Sequence, residues 1–211
     1  MPFKGWPEDA LDFYVGLEAD NSKAYWTDHK DVFDNLVKAP MQALVDELGG
    51  GKLFRPYRDV RFSKDKSPYK TWMAAHLEKG GYLSLSKDGL GVGLGYHQMM
   101  PDQLERYREA VDDATSGRKL VKLADTLRAK DIEVGGHEQL RSAPRGYEKD
   151  HPRIQFLRYK GLTAWRQWPP APWLGTAKAK ERVVTFLKDA KPLNAWLDAN
   201  VGPSKMPVGR R

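Results

Sequence analysis

The spacing of apolar positions changes period twice along the chain, marking a helical start, a strand-rich middle and a mostly helical end. Pro7 followed by Glu8 and Asp9 has the form of a helix start, because proline suits the first helical position and acids face the positive end of the helix dipole. Leu11, Tyr14, Val15 and Leu17 then recur at helical spacing. Asn21-Ser22 is a capping pair for a second helix whose apolar face carries Tyr25, Trp26, Phe33, Leu36 and Val37. Pro40 interrupts that helix. Met41, Leu44, Val45 and Leu48 continue as a third helical segment, ended by Gly49-Gly50-Gly51.

In the middle the period drops to two. Arg58 to Ser63 alternates, with Val60 and Phe62 on one face and Asp59 and Arg61 on the other, which predicts a strand. Trp72 to Leu77 is expected to return and pair with it across a Lys64–Tyr69 loop. Tyr82 to Ser86 is a third strand, followed by Lys87-Asp88-Gly89, an Asp-Gly hairpin signal. In the next run, Leu90-Gly91-Val92-Gly93-Leu94-Gly95-Tyr96, the alternate glycines leave one strand face apolar and the other bare. A dinucleotide-binding loop is rejected here, since these residues alternate as a strand and the next helix begins only after Pro101. The bare face admits either a closely packed helix or a flat ligand.

Pro101-Asp102 opens a helix carrying Leu104, Tyr107, Arg108 and Val111. A turn at Ser116-Gly117 is expected to lead to the next, carrying Leu120, Leu123, Ala124 and Leu127. Ile132 to Val134 reads as a short strand, Pro144 to Pro152 as an ordered loop rich in turn formers, and Leu162 to Trp168 as a strand closed by Pro169-Pro170. A final helix runs from about Ala177 to Leu187, with continuation past Pro192 to Leu197. Residues 202–211 read as a basic, flexible tail. The fold class expected is α+β: one domain over residues 1–201, its mostly antiparallel sheet packed by N-terminal, central and C-terminal helices.

Composition narrows the functional classes modestly. The 211 residues are 40% apolar and include seven tryptophans, enough for a packed core. A net charge of +7, from 35 basic and 28 acidic residues, suits anionic partners without specifying one. The absence of cysteine excludes disulfides, thiolate metal sites and cysteine nucleophiles. No apolar signal core begins the chain and no window has the roughly 18 apolar residues of a membrane span, so a cytoplasmic protein without membrane contact is the expectation.

The densest chemistry lies in Arg58-Asp59-Val60-Arg61-Phe62-Ser63-Lys64-Asp65-Lys66-Ser67-Pro68-Tyr69-Lys70. This run resembles the hallmark of a widespread bacterial and fungal family described only as a domain of unknown function. Asn21 to Trp26, Gly93-Leu94-Gly95-Tyr96, and Pro144-Arg145-Gly146-Tyr147 with Asp150-His151-Pro152 match it as well. Asp20 departs from a first asparagine common in that family, and Tyr25-Trp26 from a Trp-Phe order. The resemblance implies no established activity, cofactor or partner.

Chemistry therefore has to carry the functional reading. Asp59 is expected to pair with Arg61 and orient its guanidinium, leaving an outer donor fork. Arg58, Arg61, Lys64, Lys66 and Lys70 are the candidate anion contacts, with Arg145 joining from the later loop. Asp59, Asp65 and Ser67 are orienting or structural, Ser67 being stiffened by the proline after it. Tyr69 and His151 are candidates for proton transfer, and Gly91, Gly93, Gly95 and His97 for a pocket wall. Three readings compete: a small anionic ligand, phosphate or carboxylate, with or without catalysis; nucleic acid on a basic surface with Tyr69, Trp72, Trp165, Trp168 and Trp173; and an ion-pair network serving the fold alone. His29, His76, His97, His137 and His151 show no metal-ligand spacing, and no pattern names a cofactor.

Overall fold

The structure, a computed structural model, describes residues 2–206. Helix α1 (Asp9–Ala19) starts where the acids place it and buries Ala10, Leu11, Phe13, Tyr14 and Leu17. Val15, read as part of that stripe, is 53% exposed, so the buried face is centred one step away. Ser22 caps α2 (Lys23–Asp28), its hydroxyl accepting the Tyr25 N–H at 3.1 Å. The chain then runs through α3 (Lys30–Val32), a π-helical turn (Phe33–Lys38) and α4 (Ala39–Glu47). Pro40 lies at the start of α4 and does not end the helical path as expected. Its ring crowds the carbonyl four residues earlier and it lacks an N–H, and a widened turn just ahead of it relieves both.

Six strands follow: β1 (Gly51–Leu53), β2 (Trp72–Leu77), β3 (Tyr82–Ser86), β4 (Gly89–Tyr96), β5 (Glu133–Gly135) and β6 (Leu162–Trp168). They form an antiparallel sheet of order β1-β2-β3-β4-β6-β5, and the α+β expectation holds. Between β3 and β4 the Asp-Gly signal is met, with Gly89 at φ +95°. The later helices are α5 (Pro101–Asp112), α6 (Ala114–Arg128), α7 (Ile154–Arg158) and α8 (Lys178–Asn200), the last continuous through Pro192.

Two further expectations about elements fail. Arg58 to Ser63 is not a strand, and β2 pairs instead with β1 and β3. The turn placed at Ser116-Gly117 lies inside the first turn of α6, whose true start is Asp113. The Asp113 carboxylate accepts the Thr115 and Ser116 N–H groups at 2.9 and 2.7 Å, a capping arrangement that favours helix where Ser-Gly alone favours a turn.

The described residues group into two compact units, 2–92 with 167–186 and 93–166 with 187–206. In the first, Met73↔Leu85 and Ala75↔Leu83 lie on one face of β2 and β3, buried with Trp6, Tyr14, Leu17, Val37, Met41 and Leu44. In the second, Tyr107, Val111, Leu120, Leu157, Leu162, Leu193 and Trp196 form the core. Residues 202–206, expected to be flexible, are tied to α5 in that unit. Asp102 accepts the Ser204 hydroxyl and the Lys205 N–H, and Gln103 donates to the Gly202 carbonyl. Residues 207–211, the rest of the expected tail, lie outside the described residues.

Candidate functional site

Local side-chain bonds, not strand pairing, shape the Arg58–Lys70 run. Its base is closed by an isolated antiparallel bridge between Tyr57 and Tyr69, with Arg58 N–H donating to the Pro68 carbonyl at 2.8 Å and Lys70 N–H to Pro56 at 2.7 Å. Between those ends the backbone turns on aspartates. Asp59 Oδ1 accepts the Arg61 N–H at 3.3 Å, and Asp65 Oδ1 accepts the Ser67 N–H and hydroxyl at 2.9 and 2.6 Å. An aspartate two residues ahead of a free N–H mimics a backbone turn and competes with the ladder a strand needs. The result is a compact loop with close ends.

The same aspartates hold the arginines. Arg61 donates Nε to Asp59 Oδ1 at 2.9 Å and Nη2 to Asp59 Oδ2 at 2.7 Å, the bidentate pairing expected, while its side chain stays 77% exposed. Nη1 and the second Nη2 proton therefore remain as a fixed outer edge. Arg58 bonds Asp65 and the Ser67 carbonyl. The Arg61 hydrogen bonds hold the Asp59 carboxyl down at about 2. Ser67, first through its hydroxyl, and then Arg58 hold Asp65 well below the usual carboxylate range.

The lysines divide. Lys66 donates to the Val60 carbonyl at 3.0 Å and Lys70 to the Arg55 carbonyl at 3.0 Å, both bracing the loop. Lys64 is exposed and makes no hydrogen bond or ion pair among the described residues. Phe62, expected to share a strand face with Val60, is 95% exposed beneath the Arg61 guanidinium, 5.8 Å from its ring centre. Once Arg58–Ser63 is a turn-built loop, alternation no longer dictates which side chains are covered.

Tyr69 is 6% exposed, its ring stacked on Trp26 at 4.3 Å and 6°. Desolvation raises its phenol pKa. Asn21 fixes the same residue: its amide donates to the Tyr69 carbonyl at 3.1 Å and accepts the Tyr69 N–H at 3.0 Å. Sequence reasoning missed this clamp, because its partners lie 48 residues apart and nothing local signals it.

Arg145 and His151 belong to the second unit. Gly146 takes φ +89° there, turning the loop so that Arg145 is exposed, without hydrogen bond or ion pair among the described residues. His151 has both ring nitrogens engaged, Nδ1 accepting the Arg153 N–H at 3.1 Å and Nε2 against Asp112 Oδ1 at 3.0 Å. The ring fastens the start of α7 to α5.

The glycine face is partly occupied within this unit. A Cβ on Gly93 would sit 2.9 Å from the Trp165 ring, and one on Gly95 would sit 2.4 Å from the Leu162 carbonyl oxygen. Gly91 lies in the first unit's part of β4 and is buried. His97 is exposed and stacks on His137 at 5.0 Å. Among the described residues no group of three or more His, Asp or Glu is placed to hold a metal ion, and no helix is long and apolar enough to cross a membrane.

Comparison with known proteins adds a family and no activity. The model of a family of conserved hypothetical proteins, DUF2461, matches residues 9–196. No curated protein matches. Among solved structures, a conserved hypothetical protein from Pyrococcus furiosus is similar at 12% identity and a TM-score of 0.36, over 85% of this chain and 98% of that one.

Proposed function

We propose for this chain, which belongs to the DUF2461 family, that the loop closed by Tyr57 and Tyr69 binds an anionic group, with phosphate favoured over carboxylate. The observation that carries the reading is the Asp59–Arg61 pair. A guanidinium locked from one side by a bidentate carboxylate presents its other N–H groups in a fixed fork, which suits the spread oxygens of a phosphate. Lys64, without hydrogen bond or ion pair among the described residues, supplies a second exposed charge on the same loop. Arg58, Lys66 and Lys70 support the loop through their own bonds and contribute charge. Arg145, exposed on the second unit, is a further candidate anion contact.

Binding is favoured over catalysis. Tyr69 is buried against Trp26, and His151 has neither ring nitrogen free, so the two proton-transfer candidates are committed to packing and to hydrogen bonds.

Calorimetric titration with inorganic phosphate, pyrophosphate and citrate tests the proposal. The wild type is expected to bind pyrophosphate most tightly, with affinity falling as salt rises. Arg61→Ala and Lys64→Ala should each weaken binding about tenfold while leaving the melting temperature nearly unchanged, because both side chains are exposed. Absence of heat for all three anions, or equal binding by wild type and the Arg61→Ala variant, would sink the reading.

A further inference from the structure

The first unit carries a second unusual surface, on the face of β1–β3 opposite its core. The register pairs Lys52 with His76, His76 with Tyr82, Ala74 with Ser84 and Trp72 with Ser86, so these side chains share that face. Phe54 joins them, its ring edge-to-face with His76 at 5.0 Å and tilted against Tyr82 at 6.2 Å, while His76 meets Tyr82 at 5.5 Å. Trp72 hydrogen-bonds Tyr82 through its side chain and remains 41% exposed.

A solvent-side sheet face ordinarily alternates to polar residues. Here it presents four rings, His76 among the exposed positions. The polar groups around them are cationic or hydroxylic. The Lys70 ammonium lies 5.5 Å over the Phe54 ring, Lys52 and Arg55 are exposed, and Ser84 and Ser86 line the floor. No carboxylate stands among the side chains that the register places on this face. The next position on this face past His76 is Glu78, opposite Gly50, so a carboxylate stands at one end of the row and none stands between the rings to accept a sugar's hydroxyl protons. Aromatic faces bordered by lysines match planar bases joined by phosphates.

We propose that this face is a stacking platform for single-stranded nucleic acid. Bases lie on the indole of Trp72 and the Phe54–His76–Tyr82 cluster, and Lys52 and Lys70 take the adjoining phosphates. The inference deepens the anion reading of the loop and rests on it only for additional backbone contacts. Trp72 and His76 carry the base-dependent part, whereas Lys52 and Lys70, with Arg61 and Lys64 added from the loop, carry the base-independent part.

Fluorescence anisotropy of the full chain, with a labelled oligothymidylate of roughly 10 nucleotides and an abasic strand of equal length, separates the two. Wild type should bind the thymidylate at least about tenfold more tightly than the abasic strand. Trp72→Ala should remove most of that preference and leave abasic binding unchanged, Trp72→Phe should restore it, and circular dichroism confirms that both variants fold. Equal affinity of the wild type for the two strands, or no binding of either, overturns the platform, whatever the loop does with pyrophosphate. If Arg61→Ala with Lys64→Ala changes neither affinity while the base preference persists, the loop adds no backbone contact to the strand and the platform stands, and the pyrophosphate titration alone decides the anion reading of the loop.

Discussion

Asn21 grips Tyr69 by both amide atoms, replacing a strand neighbour at the point where the cationic loop rejoins the sheet. Removing that amide leaves a partly buried N–H and C=O without partners. Asn21→Ala is therefore expected to cost about 1–3 kcal/mol, seen as a lower midpoint in urea and faster exchange of the Tyr69 amide proton. Asn21→Asp keeps the acceptor for the N–H and loses the donor, so it should fall between the two. An unchanged Tyr69 exchange rate in Asn21→Ala would refute the clamp. The sequence announces other residues of the site better than this one. Asp59 and Arg61, two positions apart, were legible as a pair, yet through an incorrect strand. What joins them is a turn in which Asp59 also accepts the Arg61 backbone N–H. Local pairs survive such an error because side chains so close in sequence meet in either geometry. Phe62 did not survive it.

At the scale of elements, α2 is the brace under the loop. Trp26 stacks on Tyr69 at 4.3 Å, and contacts Phe33 at 4.7 Å and Phe13 at 5.8 Å, tying the loop's closing residue to α1 and the π-helical turn. Trp26→Ala is expected to cost about 3–5 kcal/mol as a buried aromatic replaced by a void. Limited proteolysis should then cut within residues 57–69 before it cuts elsewhere, whereas Trp26→Phe should keep the loop protected. Cleavage that begins at another loop in Trp26→Ala would contradict this coupling. Strands β2, β3 and β6 were legible to their ends, because each has strong alternation or a glycine, proline or Asp-Gly boundary. β1 was not, since Gly51-Lys52-Leu53 is short and follows two glycines that read as a helix stop. The start of α6 was missed because a single capping aspartate outweighs a Ser-Gly pair, and the π-helical turn because helical periodicity does not separate 3.6 residues per turn from a locally wider one.

For the whole molecule, the titrating groups with resolved shifts sit at two ends of the pH scale and in both units. Carboxylates are held down. Asp59 and Asp102 lie at about 2 and Asp65 is likewise held well below the usual carboxylate range, by hydrogen bonds from Arg61, from Lys205 and Ser204, and from Ser67 and Arg58. A carboxyl depressed in the folded state favours folding above its unfolded value, near 3.9, and that contribution, small for the exposed Asp59 and Asp65 and larger for the more covered Asp102, disappears as pH falls toward 2. Tyrosines are pushed the other way. Desolvation raises Tyr14 and Tyr107, and desolvation with the Asp198 hydrogen bond raises Tyr96 to about 12. A raised phenol favours folding below its unfolded value, near 10, and that contribution is lost as pH climbs toward the folded value. With respect to these groups, the melting temperature should be flat between about pH 5 and 9 and should fall on both sides. Tyr14 isolates the alkaline arm, because its buried hydroxyl has no hydrogen-bond partner among the described residues. Tyr14→Phe removes a desolvated group that nothing satisfies, so it should raise stability by about 1 kcal/mol at pH 7 and make the fall above pH 10 shallower. The acid arm should be untouched by that change. Thermal denaturation of wild type and Tyr14→Phe from about pH 2 to 11 measures both arms, and an unaltered alkaline fall in the variant would remove Tyr14 from the account.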